Sequence, residues 1–168
     1  MKRFARYAVF PLLIATLAAQ TNPAPSPSKA LRSYFEYVNG KVLDMAKDFP
    51  EDKYDYRPTK EMRSFGELIV HIASGNVYAA KVGKGEQANW DELDAKNYKT
   101  KADIVGLLQK SIDDSTAALK AEPDEEFTKT LRPWLAVMQH SSEHYGLLVA
   151  YYRLNGMVPP ETRKEQKK

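Results

Sequence analysis

Only three histidines occur in the 168 residues, and two of them stand one helical turn apart, His140 and His144 in HSSEHYGLLVAYYRLNG. Residues four apart on a helix share a face, with Cβ atoms about 5–6 Å apart, so both imidazoles can point at one ion. Val137, Leu147, Leu148 and Tyr151 continue the same stripe, which puts the pair on the apolar side of its helix. Neutral imidazoles in an apolar interior need a partner for each ring nitrogen. Two readings fit. In one, a metal takes one nitrogen of each ring and a carboxylate, carbonyl or water takes the other. In the other, the pair belongs to an ordinary buried helix. The third histidine, His71, lies between Leu68 and Ile72 on the inward stripe of an earlier helical segment. An ion between the two segments would take one ligand from the first and two from the second. Three neutral imidazoles suit Zn²⁺, Ni²⁺, Fe²⁺ or Cu²⁺ and leave coordination positions open to water. The chain has no cysteine, which excludes a cysteine nucleophile and thiolate ligands.

Few other residues compete for a chemical role. Glu67 is one turn before His71, where it could accept from the outer nitrogen of that ring or act as a base; its simpler role is to close a capping box with Ser64. Glu143 adjoins His144 but points about 100° away and reads as solvated. Tyr78 and Tyr151 could line a pocket, although packing explains them as well. Arg57 and Arg153 read as structural ion-pair partners. Ser141 and Ser142 lack any nucleophile context.

The elements that must position these residues are helical throughout. A first helix is predicted over about 28–47, with Leu31, Tyr34, Phe35, Val38, Val42, Leu43 and Met45 as its buried stripe. Pro50 ends it, and a polar loop, PEDKYDYRPTKEMR, follows. The second starts at the capping box Ser64/Glu67 and ends near Gly83 or Gly85. KGEQANWDELDAKNYKT is then a connection, with Trp90 tucked onto the bundle. The third covers about 101–121 and stops at Pro123. The fourth is predicted to begin near Pro133, since proline suits a first turn, and to end at Asn155 with Gly156 as its cap. Four amphipathic helices and no strand run specify an all-α, up-down four-helix bundle spanning 29–160.

What precedes the bundle reads as a targeting segment. Lys2, Arg3 and Arg6 lead into an apolar run from Ala8 to Ala19 that is short for a bilayer span, so residues 1–19 are expected to be a cleaved signal peptide. Residues 20–28 are then a Pro- and Ser-rich linker, and 161–168 a polar tail. The expected location is outside the cytoplasm, periplasmic or extracellular, with no stable membrane insertion after cleavage. Taking those three basic residues from the 25 Lys and Arg leaves 22 against 22 Asp and Glu. A formally neutral mature chain argues against a nucleic-acid partner.

Two blocks carry a family resemblance: YDYRPTKEMRSFGELIVHIA, and HSSEHYGLLVAYYRLNGMVPP far downstream. They resemble the DinB-like superfamily of metal-binding four-helix bundles. The first matches that family's Arg-Pro loop, Ser-x-Gly-Glu-Leu and helix-borne histidine. The second matches its His-x-x-x-His and a Tyr-x-Arg-x-x-Gly-x-x-Pro-Pro ending. The resemblance implies that His71, His140 and His144 form the family's metal triad, holding one divalent transition metal such as Zn, Ni or Fe. Many members carry a second histidine directly before the last one, followed by Arg-Gly-Gln; here those positions are Glu143 and Tyr145-Gly146-Leu147. The resemblance further implies hydrolase, isomerase or thiol-transferase chemistry on a small molecule, and a homodimer. The competing expectations are a non-catalytic metal-binding module and a metal-free interaction domain.

Overall fold

A computed structural model describes residues 25–167 of the chain; the expected signal peptide, residues 1–19, lies outside them. The helices are α1 (Pro27–Asp48), α2 (Phe65–Gly83), α3 (Lys101–Ala121), α4 (Asp124–Leu154) and a short α5 (Pro160–Glu165). No strand occurs among the described residues, and the chain is the all-α four-helix bundle expected from its sequence. Among the described residues, no helix is long and apolar enough to cross a membrane.

Local chemistry sets the helix boundaries. The Ser64 hydroxyl accepts from Glu67 N at 3.2 Å while the Glu67 carboxylate accepts from Ser64 N at 2.9 Å, the capping box read from the sequence. Thr100 and Asp103 form a second box, with both bonds at 3.1 Å, that starts α3. Gly156 ends α4 at φ +70°, as expected. The start of α4 differs from the expectation. The helix begins at Asp124 and carries Pro133 in its interior. Tertiary packing overrides the local signal here: Trp134 is fully buried, meets Phe35 edge-on and donates from its indole N–H to Glu122, and Phe127 is buried one turn into the helix. Two smaller differences follow the same logic. Pro27 and Ser28 already belong to α1, and residues 160–165, expected in part as tail, form α5, whose Arg163 and Lys164 pair with Asp48 and Asp44 of α1.

The helix directions depart from the up-down alternation expected from the sequence. Gly66 and Gly83 of α2 approach Ile104 and Ala118 of α3, start to start and end to end, so α2 and α3 are parallel. Phe35 and Met45 of α1 meet Trp134 and Tyr152 of α4 in the same order, so these two are parallel as well. The bundle therefore runs up, down, down, up. Residues 84–100 must travel back along its length, which explains why that connection is long. The return starts at Gly85, whose φ of +79° suits only glycine without strain.

Two features fix the helices against one another. At one end Phe65, fully buried, stacks on Phe49 with ring centroids 3.8 Å apart and meets Tyr54, Tyr151 and Tyr152 edge-on or tilted. At mid-height a buried polar layer joins all four helices. Asn76 Nδ2 donates to Asn39 Oδ1 at 3.1 Å, Ser115 donates to Asn76 O at 2.9 Å, and Ser141 reaches Asn39 Oδ1 at 3.4 Å. Replacing Phe65 by Ala should cost about 3–5 kcal/mol, the usual range for a fully packed phenylalanine. A urea unfolding midpoint that gives a loss below about 1 kcal/mol would mean the cluster does not hold the bundle end together.

Candidate metal centre

The antiparallel pair α2–α4 brings the three histidines into one cluster. His71 Nε2 lies 2.9 Å from His140 Nε2 and 3.1 Å from His144 Nε2, and ligand atoms of all three lie within 4.8 Å of one another. All three rings are half-buried. Two donors bound to one ion at about 2.1 Å, and 90–110° apart, stand about 3.0–3.4 Å from each other. The separations from His71 are close to that edge length. The donor set is also chemically apt, being three imidazoles with their Nε2 atoms turned inward on a common point. Burial lowers His140 to about 3 and His144 to about 4, helped by the neighbouring imidazoles and by the positive charge of Arg63. Both rings are therefore neutral at physiological pH, the form in which imidazole is a ligand.

The rings are oriented in two different ways. His71 is held by a hydrogen bond: its Nδ1 lies 2.7 and 2.9 Å from the two oxygens of Glu92. A carboxylate only accepts, so Nδ1 is the donor, and in the neutral ring Nε2 is left as a bare lone pair. His140 is held by shape. Its Nδ1 is buried and has no hydrogen-bond partner among the described residues. The ring sits edge-to-face with Trp90, centroids 4.9 Å apart, and Trp90 is stacked in turn on Tyr78. The floor beneath both is Gly75. A Cβ added there would come within 2.6 Å of Trp90 Cζ2 and 3.1 Å of His140 Nδ1.

Glu92 and Trp90 both come from the 84–100 crossover, which passes over the cluster on its way back along the bundle. Leu93 N donates to Ser74 Oγ at 3.0 Å and ties the segment to α2. Trp90 lies on the bundle as expected, whereas nothing in the sequence marks Glu92 or Gly75. Either would have been visible only if the crossover had been recognised as running across α2 rather than turning at its end.

The other candidates fall on the structural side. Glu67 is engaged by Ser64 N and by Arg57, and the Arg57 hydrogen bond holds its carboxyl below the usual range; its hydrogen bonds go to these groups and not to His71. Arg57 also donates to Met62 O, so it braces the loop as expected, whereas Arg153 is exposed and has no ion pair among the described residues. Tyr151 is buried and donates to Arg63 O at 2.5 Å. Glu143 is exposed and accepts from Gln139. An apolar groove of about 830 Å³ lies between α1 and α4 along Leu31, Tyr34, Leu131, Leu135 and Met138, and no histidine lines it.

The close approach at Gly75 has a testable sign. Gly75→Ala should destabilise by about 1–3 kcal/mol through overpacking. Gly106→Ala, in α3 where a Cβ would meet nothing within 4 Å, should stabilise by about 0.5–1 kcal/mol through helix propensity. Thermal melts of both variants decide it. Stabilisation in both would show that Trp90 and His140 do not press on residue 75.

With this geometry in view, the family described as the DinB superfamily matches residues 34–151. No curated protein matches the chain.

Proposed function

The chain belongs to the DinB superfamily, and we propose that it is an exported protein that binds one divalent transition metal through His71, His140 and His144 and acts on a small molecule by hydrolysis or group transfer. The observation that carries this reading is the convergence of three Nε2 atoms from two helices, with the outer nitrogen of one ring already on a carboxylate. A dication held by three neutral imidazoles supplies Lewis-acid chemistry, activating a water or a substrate atom for attack. The chain's own residues supply the setting. Neutral His140 and His144 add no charge to the ion, Glu92 fixes the His71 ring, and Trp90 and Tyr78 wall one side against water. Zn, Ni and Fe all suit the donor set. The formally neutral mature chain favours a small-molecule partner over nucleic acid, and the apolar run ahead of the bundle supports export.

One observation favours a second reading, a metal-binding module without turnover. Glu67 is committed to Arg57 and Ser64, and Glu92 occupies the far side of His71. Neither is free to serve as a base beside the Nε2 cluster. Open coordination positions separate the two readings. A Co²⁺-loaded protein whose visible spectrum shifts on adding azide has an exchangeable position, while an unmoved spectrum argues for a closed, non-catalytic centre.

Metal analysis of the protein purified without a histidine tag tests both readings together. About one ion per chain is expected, falling to nearly none in His140→Ala/His144→Ala. An absence of metal in the wild type after incubation with Zn²⁺, Ni²⁺ or Fe²⁺ would end the metal interpretation.

A further inference from the structure

Glu92 is not one of the three ligands, although it holds the His71 ring. Its contacts also tie the crossover to that set. One face of its carboxylate is on His71 Nδ1, and Oε1 is 3.7 Å from Arg63 Nη2. Two residues earlier, Trp90 is lodged between Tyr78 and His140. One residue later, Leu93 N is bonded to Ser74. Three fastenings within four residues thus join 90–93 to the two helices that carry the histidines. Only the Glu92 contact is a charge-assisted bond to a ring of the cluster.

We propose that Glu92 is a positioning residue of the metal centre, and that through it ion binding latches the crossover segment onto α2. This rests on the reading that the three histidines hold a metal. The carboxylate accepts from His71 Nδ1–H and so directs Nε2 to the ion. An ion at Nε2 draws electron density from the ring and makes Nδ1–H a stronger donor, so the bond to Glu92 strengthens when the site fills. Linkage then requires the reverse: a docked crossover raises metal affinity by the same factor by which metal favours docking. Trp90 moves with Glu92, so the latch also seats the indole against His140.

Zn²⁺ titration calorimetry on the wild type, Glu92→Gln and Glu86→Gln tests this, with amide hydrogen exchange of residues 86–94 read with and without Zn²⁺. Glutamine keeps an acceptor oxygen and removes only the charge. Glu86 is an exposed residue of the same segment and controls for charge alone. Zn²⁺ affinity should fall about 10- to 100-fold in Glu92→Gln and stay at the wild-type value in Glu86→Gln. The melting temperature of metal-free Glu92→Gln should match the wild type. Zn²⁺ should slow exchange across 86–94 in the wild type and much less in Glu92→Gln. Equal affinities for wild type and Glu92→Gln overturn the inference and leave the metal site standing. So does exchange that ignores Zn²⁺, or a Glu92→Gln variant that loses metal-free stability without losing affinity. A wild type that binds no Zn²⁺ overturns the metal reading and this inference with it.

Discussion

The offset between α2 and α4 is the constraint on which everything else depends. A helix advances 1.5 Å and turns 100° per residue. A slip of one residue along either helix would take His71 away from His140 and His144 altogether. The fold guards this offset at three heights. Phe65 of α2 meets Tyr151 and Tyr152 of α4 at one end. The Asn39–Asn76–Ser141 layer joins the two helices through α1 near the middle. Trp134 of α4 lies over Gly83 of α2 at the other end, so close that a Cβ there would be 2.6 Å from its ring. Buried amides and hydroxyls are a costly way to fill a core, and Asn76 Oδ1 has no partner among the described residues; the hydrogen bonds that do form need one register, which greasy residues alone do not demand.

The electrostatics of the cluster follow from the same placement. Burial keeps two of the imidazoles neutral, and Arg63 beside them disfavours their protonated forms further. Glu92 offsets the arginine while occupying the outer nitrogen of the third ring. Ring nitrogens therefore face inward and the nearest charges stay at the periphery. A cluster assembled from carboxylates would carry its own negative charge into the interior; this one does not.

The bundle and the histidine triad were legible in the sequence because both rest on short-range periodicity. His140 and His144 are four apart, His71 falls on the stripe of Leu68 and Ile72, and the Ser64/Glu67 box marks a helix start. The misreadings have long-range causes. Pro133 has the local signature of a first turn, but Trp134 and Phe127 anchor an earlier start against α1 and the core. Tyr34, expected on the buried stripe of α1, is half exposed and lines the groove between α1 and α4. The parallel course of α2 and α3 has no local signature, since a long connection can as easily be a loose loop as a crossover. Glu92 and Gly75 depend on that course, and so they were invisible too.

The up, down, down, up order also bears on how the chain reaches its native state. The principal interfaces pair α1 with α3 and α4, and α2 with α3 and α4. Helices consecutive on either side of the crossover, α1 with α2 and α3 with α4, sit diagonally. No hairpin in the first half can bury its apolar stripe by itself, and neither can one in the second. Each principal interface joins segments dozens of residues apart, and such non-local contacts slow folding relative to a bundle of simple helical hairpins. Until α4 is synthesised, α1 and α2 have only α3 to pack against, so the core stays open along one side; under the proposed export, that incompleteness helps keep the chain threadable through a translocation pore.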